Sequence, residues 1–496
     1  MTDAGAPASR SARPLRTLTA LWMGMVCLLF LAFSLDGWFL RTYQSKLLFA
    51  TMRPELFYAV LTLHGIGMVG LWMAASLAAG NYLLARYVRP PRWASWLALA
   101  GTVAGFVVLV EATTEGLFGA GWYFLYPLPM FSQGIWPTWA TGGFFASLAT
   151  LCAVWLIWAL ATLWAILRQY PLPRALAWPQ LAGRSAPAVP PLVLISTVAL
   201  LLGVAGFLDA FAVFTFYLLQ WRVHGFVADA LLMKNLTFFF TQMTAYATMY
   251  LGVGVVYELL PAFAARSWKT TRVVALAWNA ALALALVSYL NHLYMDVVQP
   301  HALQVAGQVV SYLSAVPAAT VSIFDGLLLV YGARMRWTIA SSFLFLGLMG
   351  WAVGGVGAVI DSTIAANAVL HNTLWVPAHF HTYYLMGVVL MLLGFASHLG
   401  LELSGRAESR LVRRLVLPFF LVGGYGFVLT LFWAGAHSIP RRYAVYPDEL
   451  ARGAFYARFD VVLIGVLLLG IVLFLGETGR HYVTAAVRGL RHRGRS

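Results

Sequence analysis

The sequence predicts an all-α protein that crosses a membrane about twelve times. Three observations predict it. The 496 residues are 61% hydrophobic and only 10% charged. The apolar residues gather in runs of about 20, the length that carries a helix across a bilayer's hydrocarbon core. The runs also lack the strict alternation of barrel strands, so the spans are helices, which satisfy their own backbone groups in lipid.

Taken in order, the spans centre near residues 30, 70, 103, 152, 205, 248, 283, 318, 350, 387, 424 and 467. Arg10, Arg13 and Arg16 precede the first, as expected of an uncleaved start-transfer helix whose N-terminus stays inside. Most of the 32 Lys/Arg then fall in segments on that same side, so the net charge of +15 reports orientation and not nucleic-acid binding. Both termini are expected in the cytoplasm of what resembles a bacterial cytoplasmic membrane protein. The long outer connection at 113–139, with "GWYFLYPLPMF", suits a segment lying at the membrane interface. The inner connection at 169–189 is Pro-rich and basic, an ordinary loop. Cys27 and Cys152 fall within spans and imply neither a disulfide framework nor a thiolate metal cage. With no linker and no internal repeat, the expected organisation is a basic tail at 1–17, one twelve-helix domain at 18–479 and a second basic tail at 480–496. The missing repeat disfavours an inverted-repeat transporter.

Histidines mark the functional layer. His64, in "LTLHGIGMVG", lies about seven residues into the second span from the outer side, and His379 and His381 lie about eight to ten residues into the tenth. At about 1.5 Å per residue these sit roughly 10–15 Å below the outer surface. His292, in "SYLNHLYMD", is near the outer end of the seventh span. Ionisable residues are costly inside a membrane, so four at matched depth point to a site more than to chance packing. Residues i and i+2 of a helix differ by about 200°, so His379 and His381 face opposite ways and serve two cofactors, not one metal. His64 closes a bis-histidine site with one of them, as a low-spin haem requires.

These motifs resemble the catalytic subunit I of the haem–copper oxidases and their nitric oxide reductase relatives. "HNTLWVPAHFHTYYLMG" is similar to the tenth-helix motif, "LHGIGM" to the second-helix motif, and "IPRRYAVYPDE" at 439–449 to the segment whose paired arginines contact haem propionates. The resemblance implies that His64 and His381 ligate a low-spin haem and His379 a high-spin haem. It places Arg441 and Arg442 on the propionates, where guanidinium suits carboxylate bidentately, and His371 at the outer mouth. It also implies electron transfer between the haems for reduction of dioxygen or nitric oxide, with cytochrome c or quinol as donor and a second subunit as partner.

The resemblance breaks at the second metal, which in the family has three histidines. Here the pair on the seventh helix is Asn291-His292, and fifty residues upstream "FFFTQMTAYATMY" offers Thr241 or Gln242 instead of histidine. Tyr246 stands four after Gln242, the spacing of a tyrosine that many oxidases link to a copper ligand, so Tyr246 and His292 are the expected catalytic residues. One imidazole with two amides holds copper weakly, and a non-haem iron would need a carboxylate. Glu258 lies about four turns inward of Gln242, and Asp296 lies at the outer edge. Ser322 stands near a proton-channel lysine of many relatives, leaving Asp209, Asp325 and Asp361 as intramembrane carboxylates able to carry protons. Two other functions fit the same residues: a nitric oxide dismutase, and a dihaem electron-transfer or gas-sensing subunit that has lost its second metal.

Overall fold

The structure, a computed structural model, describes residues 12–48, 51–295 and 299–493; Arg10 and Asp296 lie outside them. The twelve expected spans form helices α1 (Ala12–Gln44), α2 (Pro54–Leu84), α3 (Arg92–Thr114), α4 (Thr138–Gln169), α5 (Pro191–Arg222), α6 (Ala230–Ala264), α7 (Arg272–Ala285), α8 (His301–Val330), α9 (Ile339–Ser362), α10 (Trp375–Ser404), α11 (Arg410–Ala436) and α12 (Arg452–Arg493). Among the described residues, eleven are long and apolar enough to cross a membrane. The exception is α7, with 14 residues, about 21 Å at the α-helical rise and short of a bilayer core. Ser288 donates to the Ala285 carbonyl at 3.0 Å, a local side-chain bond that competes with the next helical turn. The chain continues as a 3-10 helix, Ser288–Leu293, which carries Asn291 and His292.

Extracting hydrophobic surface from water cannot hold helices together in lipid, so close packing has to do it. The closest packing is an antiparallel glycine seam between α9 and α10. A Cβ on Gly347 would come within 2.8 Å of the Gly387 carbonyl, one on Gly350 would strike the Met386 carbonyl, one on Gly354 would strike Tyr383, and one on Gly357 would lie 2.5 Å from His379 Nδ1. The seam therefore runs along about three turns and ends on a histidine. Just past His381, α10 widens into a π-type turn, Tyr384–Val389, the kind of irregularity that recurs at functional sites.

On the outer side, two loops clip together. Leu374 donates its N–H to the Ile439 carbonyl at 2.9 Å and Arg441 its N–H to the Asn372 carbonyl at 3.0 Å, around an isolated bridge between Thr373 and Pro440. This fixes Arg441 and Arg442 directly above the start of α10. The aromatic connection also folds inward. Gly121, in a left-handed turn (φ +80°), donates to Thr62 Oγ1 at 2.9 Å, and Phe124 is completely buried. Trp122 rests on Gly65, where any Cβ would collide with it.

The seam yields a paired prediction. Gly354→Ala forces α9 off α10 and costs about 1–3 kcal/mol, as overpacking does, seen as a lower thermal midpoint in detergent. Gly355→Ala, whose Cβ would meet only Ala319 at 4.0 Å, leaves the midpoint unchanged or slightly raised.

Candidate functional site

His379 and His381 open into two different cavities, one on each side of α10. His381 shares its cavity with His64, Arg41, Gln44 and Phe427, while His379 shares the other with Gln242, Tyr246, Asn291, His292, Asp361 and His371. Trp122, Phe380, Arg441 and Arg442 line both. Phe380 stands between the two histidines in sequence, and its ring lies 5.4 Å from Trp122 and stacks on Tyr384 at 4.8 Å. The partition between the cavities is therefore aromatic.

The His64 and His381 rings face each other with centres 6.4 Å apart and planes 16° from parallel. Each ring donates its Nδ1 proton to a backbone carbonyl, His64 to Phe33 and His381 to Pro377, both at 2.7 Å. Committing Nδ1 as donor leaves Nε2 with its lone pair, the form that binds a metal. An imidazole–metal bond of about 2.0 Å, with about 1.1 Å from nitrogen to ring centre, puts rings that share one ion roughly 6.2 Å apart. The pair therefore fits a single haem iron between the rings.

His379 is held differently. Its Nδ1 is buried with no hydrogen-bond partner among the described residues, and its Nε2 lies 3.8 Å from Asp361 Oδ2, beyond hydrogen-bond reach. The ring packs on Tyr383 at 4.7 Å and on the end of the glycine seam. Uncommitted nitrogens in a cavity suit a metal bound from one side only. Above both cavities, Arg441 keeps a buried Nε without a partner among the described residues, and the Arg441 and Arg442 guanidinium carbons lie 5.9 and 5.2 Å from the Tyr123 ring centre. Two cations so placed fit the carboxylates of a haem edge. His371 lines the mouth of the His379 cavity beside them.

The residues expected at a second metal do meet, but as a hydrogen-bonded pair. His292 Nε2 lies 2.9 Å from Gln242 Oε1, and since a carbonyl oxygen only accepts, that nitrogen carries the proton. Asn291 is buried with its Oδ1 unpartnered among the described residues. Tyr246 bonds to Ser288 at 3.0 Å and to Ser314 at 3.3 Å. Glu258 is engaged on the inner side with Arg86 at 2.9 Å and with Tyr87. Among the described residues no three His, Cys, Asp or Glu side chains cluster with metal-binding geometry. This donor set does not fit copper or non-haem iron. Of the other intramembrane polar residues, Ser322 bonds to Tyr257 at 3.0 Å and Asp325 accepts from Trp268 at 3.1 Å.

Sequence reasoning missed Trp122 and Phe380, whose inward direction no composition reveals. It also missed a buried ion pair at the edge of the His64–His381 cavity. Arg41 of α1 donates Nε to Asp460 of α12 at 2.8 Å, with Nη2 at 2.6 Å from the same oxygen, and bonds Gln44, whose amide donates to the Tyr443 carbonyl at 2.6 Å. Asp460 is 0% exposed, and a lone carboxylate in an apolar span was the signal that could have found it.

Comparison with known proteins agrees with this architecture. The model of the family described as cytochrome c and quinol oxidase polypeptide I matches residues 17–473. Cytochrome c oxidase subunit 1 of Thermus thermophilus is 27% identical over 281 residues, covering 52% of this chain and 50% of that one. Cytochrome c oxidase polypeptide 1 of Halobacterium salinarum is 26% identical over 242 residues, 49% of this chain and 40% of its own, so the chain spans half or less of these two relatives. Cytochrome c oxidase subunit 1 of Synechocystis is 25% identical over 439 residues, 85% of this chain and 76% of the relative. Among solved structures, a cryo-EM heme-copper terminal oxidase dimer aligns at a TM-score of 0.76 and 19% identity, over 95% of this chain and 84% of that one, which is a likeness of fold.

The buried pair generates a prediction. Asp460→Leu leaves the Arg41 charge uncompensated and costs about 3–5 kcal/mol, read as a lower unfolding midpoint. Replacing both partners together with apolar residues recovers most of that loss.

Proposed function

The chain belongs to the cytochrome c and quinol oxidase polypeptide I family, and from that membership we propose that it is a membrane dihaem oxidoreductase. His64 and His381 hold a low-spin haem, His379 holds a high-spin haem, and electrons pass from the first to the second for reduction of dioxygen or nitric oxide. The observation that carries the reading is the facing His64–His381 pair, 6.4 Å between ring centres, with His381 on the same helix whose opposite face presents His379. Bound haem would supply one-electron chemistry and, on the His379 side, a place for a diatomic gas.

The protein's own groups supply the rest. The Phe33 and Pro377 carbonyls fix the proton positions on the low-spin ligands, so neither ring turns away from its cavity. Phe380 and Trp122 fill the partition between the two sites. Arg441 and Arg442 neutralise the carboxylates at the outer edge. In this reading both termini lie in the cytoplasm and the haem layer near the outer face of a bacterial cytoplasmic membrane, a topology that the positive-inside asymmetry supports. The single domain of residues 18–479 receives electrons from cytochrome c or quinol, through a second subunit in the first case. A second reading, a gas-sensing or electron-transfer subunit, is favoured by one observation, the commitment of His292 to Gln242. Turnover of dioxygen or nitric oxide by the purified protein with a chemical donor separates the two.

Single substitutions test the ligand assignment. His64→Ala and His381→Ala each abolish the low-spin spectrum. His379→Ala spares that spectrum and removes carbon monoxide binding. Carbon monoxide binding that survives His379→Ala refutes the assignment of the second haem.

A further inference from the structure

The space opposite His379 is built around an amide and not around a metal. Gln242 accepts a proton-bearing bond from His292 through its carbonyl oxygen, so its NH2 group, with two donor hydrogens, is directed away from His292. Gln242 is half-buried and lines the same cavity as His379. His292 in turn is clamped on the 3-10 helix that follows α7, its ring stacked on Phe238 at 5.8 Å between centres and 15° between planes. Phe238 and Gln242 are one helical turn apart on α6, so ring and amide are held by the same two elements. With Nε2 protonated, His292 keeps a lone pair only on Nδ1, and a carboxamide is a poor ligand for copper or iron.

We propose that Gln242 is the hydrogen-bond donor to a small diatomic ligand bound on the His379 side, with His292 as the positioning residue that fixes its amide, and that the pair stands where a second metal ion would otherwise bind. The ligand class is a neutral or partly anionic diatomic: carbon monoxide, nitric oxide, dioxygen or cyanide. A donor aimed at the outer atom stabilises the charge that a reduced iron pushes onto such a ligand, as preorganised donors do wherever charge accumulates in a dry site. Release of the ligand is slowed by the same bond. The inference rests on the high-spin haem at His379 put forward above.

The experiment uses the purified full chain, reduced and saturated with carbon monoxide, with total iron and copper counted in the same samples. Expected are two irons, both as haem, and no copper. Gln242→Leu retains both haems and the low-spin spectrum, moves the C–O stretch to higher frequency and speeds carbon monoxide dissociation about threefold to tenfold, the loss of one hydrogen bond. His292→Phe shifts the stretch in the same direction, which a purely structural role for His292 does not do. A stoichiometric third metal that disappears in either variant overturns the proposal, as does a C–O stretch unmoved by Gln242→Leu. Haem content of two with no carbon monoxide binding in the unaltered protein overturns the reading of His379, and this proposal with it.

Discussion

Everything in the molecule's interior depends on the geometry of two residues on α10. Side chains two apart on a helix point about 200° apart, so a helix with His379 and His381 presents one imidazole to each of two neighbouring spaces. The chain between them is a single residue, Phe380. Two imidazoles held this way cannot drift apart, because the distance between their anchoring residues is set by covalent backbone and a hydrogen-bonded helix, not by side-chain packing.

The rest of the fold supports that arrangement from three directions. The glycines of α9 let α10 approach until backbone meets backbone, and Gly357 ends the seam against the His379 ring. From the other side α2 brings His64 to face His381, with both rings oriented by backbone carbonyls. From above, the clip between the loops at 371–374 and 437–442 lowers two arginines over both spaces. Charge is handled in the same economical way: Arg41, buried in α1, is matched by Asp460 from the far end of the sequence.

The spans were legible because length and hydropathy are all that lipid demands of them, and the two-sided role of α10 was legible because helical periodicity dictates it. The shortness of α7 was not, since the apolar run continues past Ala285 into the 3-10 helix at Ser288–Leu293 with no proline or glycine to mark the stop. The aromatic connection at 113–139 reads from sequence as a segment at the membrane interface, not as a roof over the cavities. Only the contacts of Trp122 with Gly65 and Phe380 distinguish the two. The pairing of Gln242 with His292 joins residues fifty apart on different helices. The sequence offered Thr241 or Gln242 in place of the expected histidine but not the hydrogen bond that joins Gln242 to His292.

The claim that one helix carries two differently ligated irons is tested most directly by low-temperature electron paramagnetic resonance of the oxidised protein, with haem quantified in the same sample. The account predicts two haems per chain: one low-spin iron with the rhombic spectrum of near-parallel imidazole planes, and one high-spin iron. A single haem, or two low-spin irons, would contradict it.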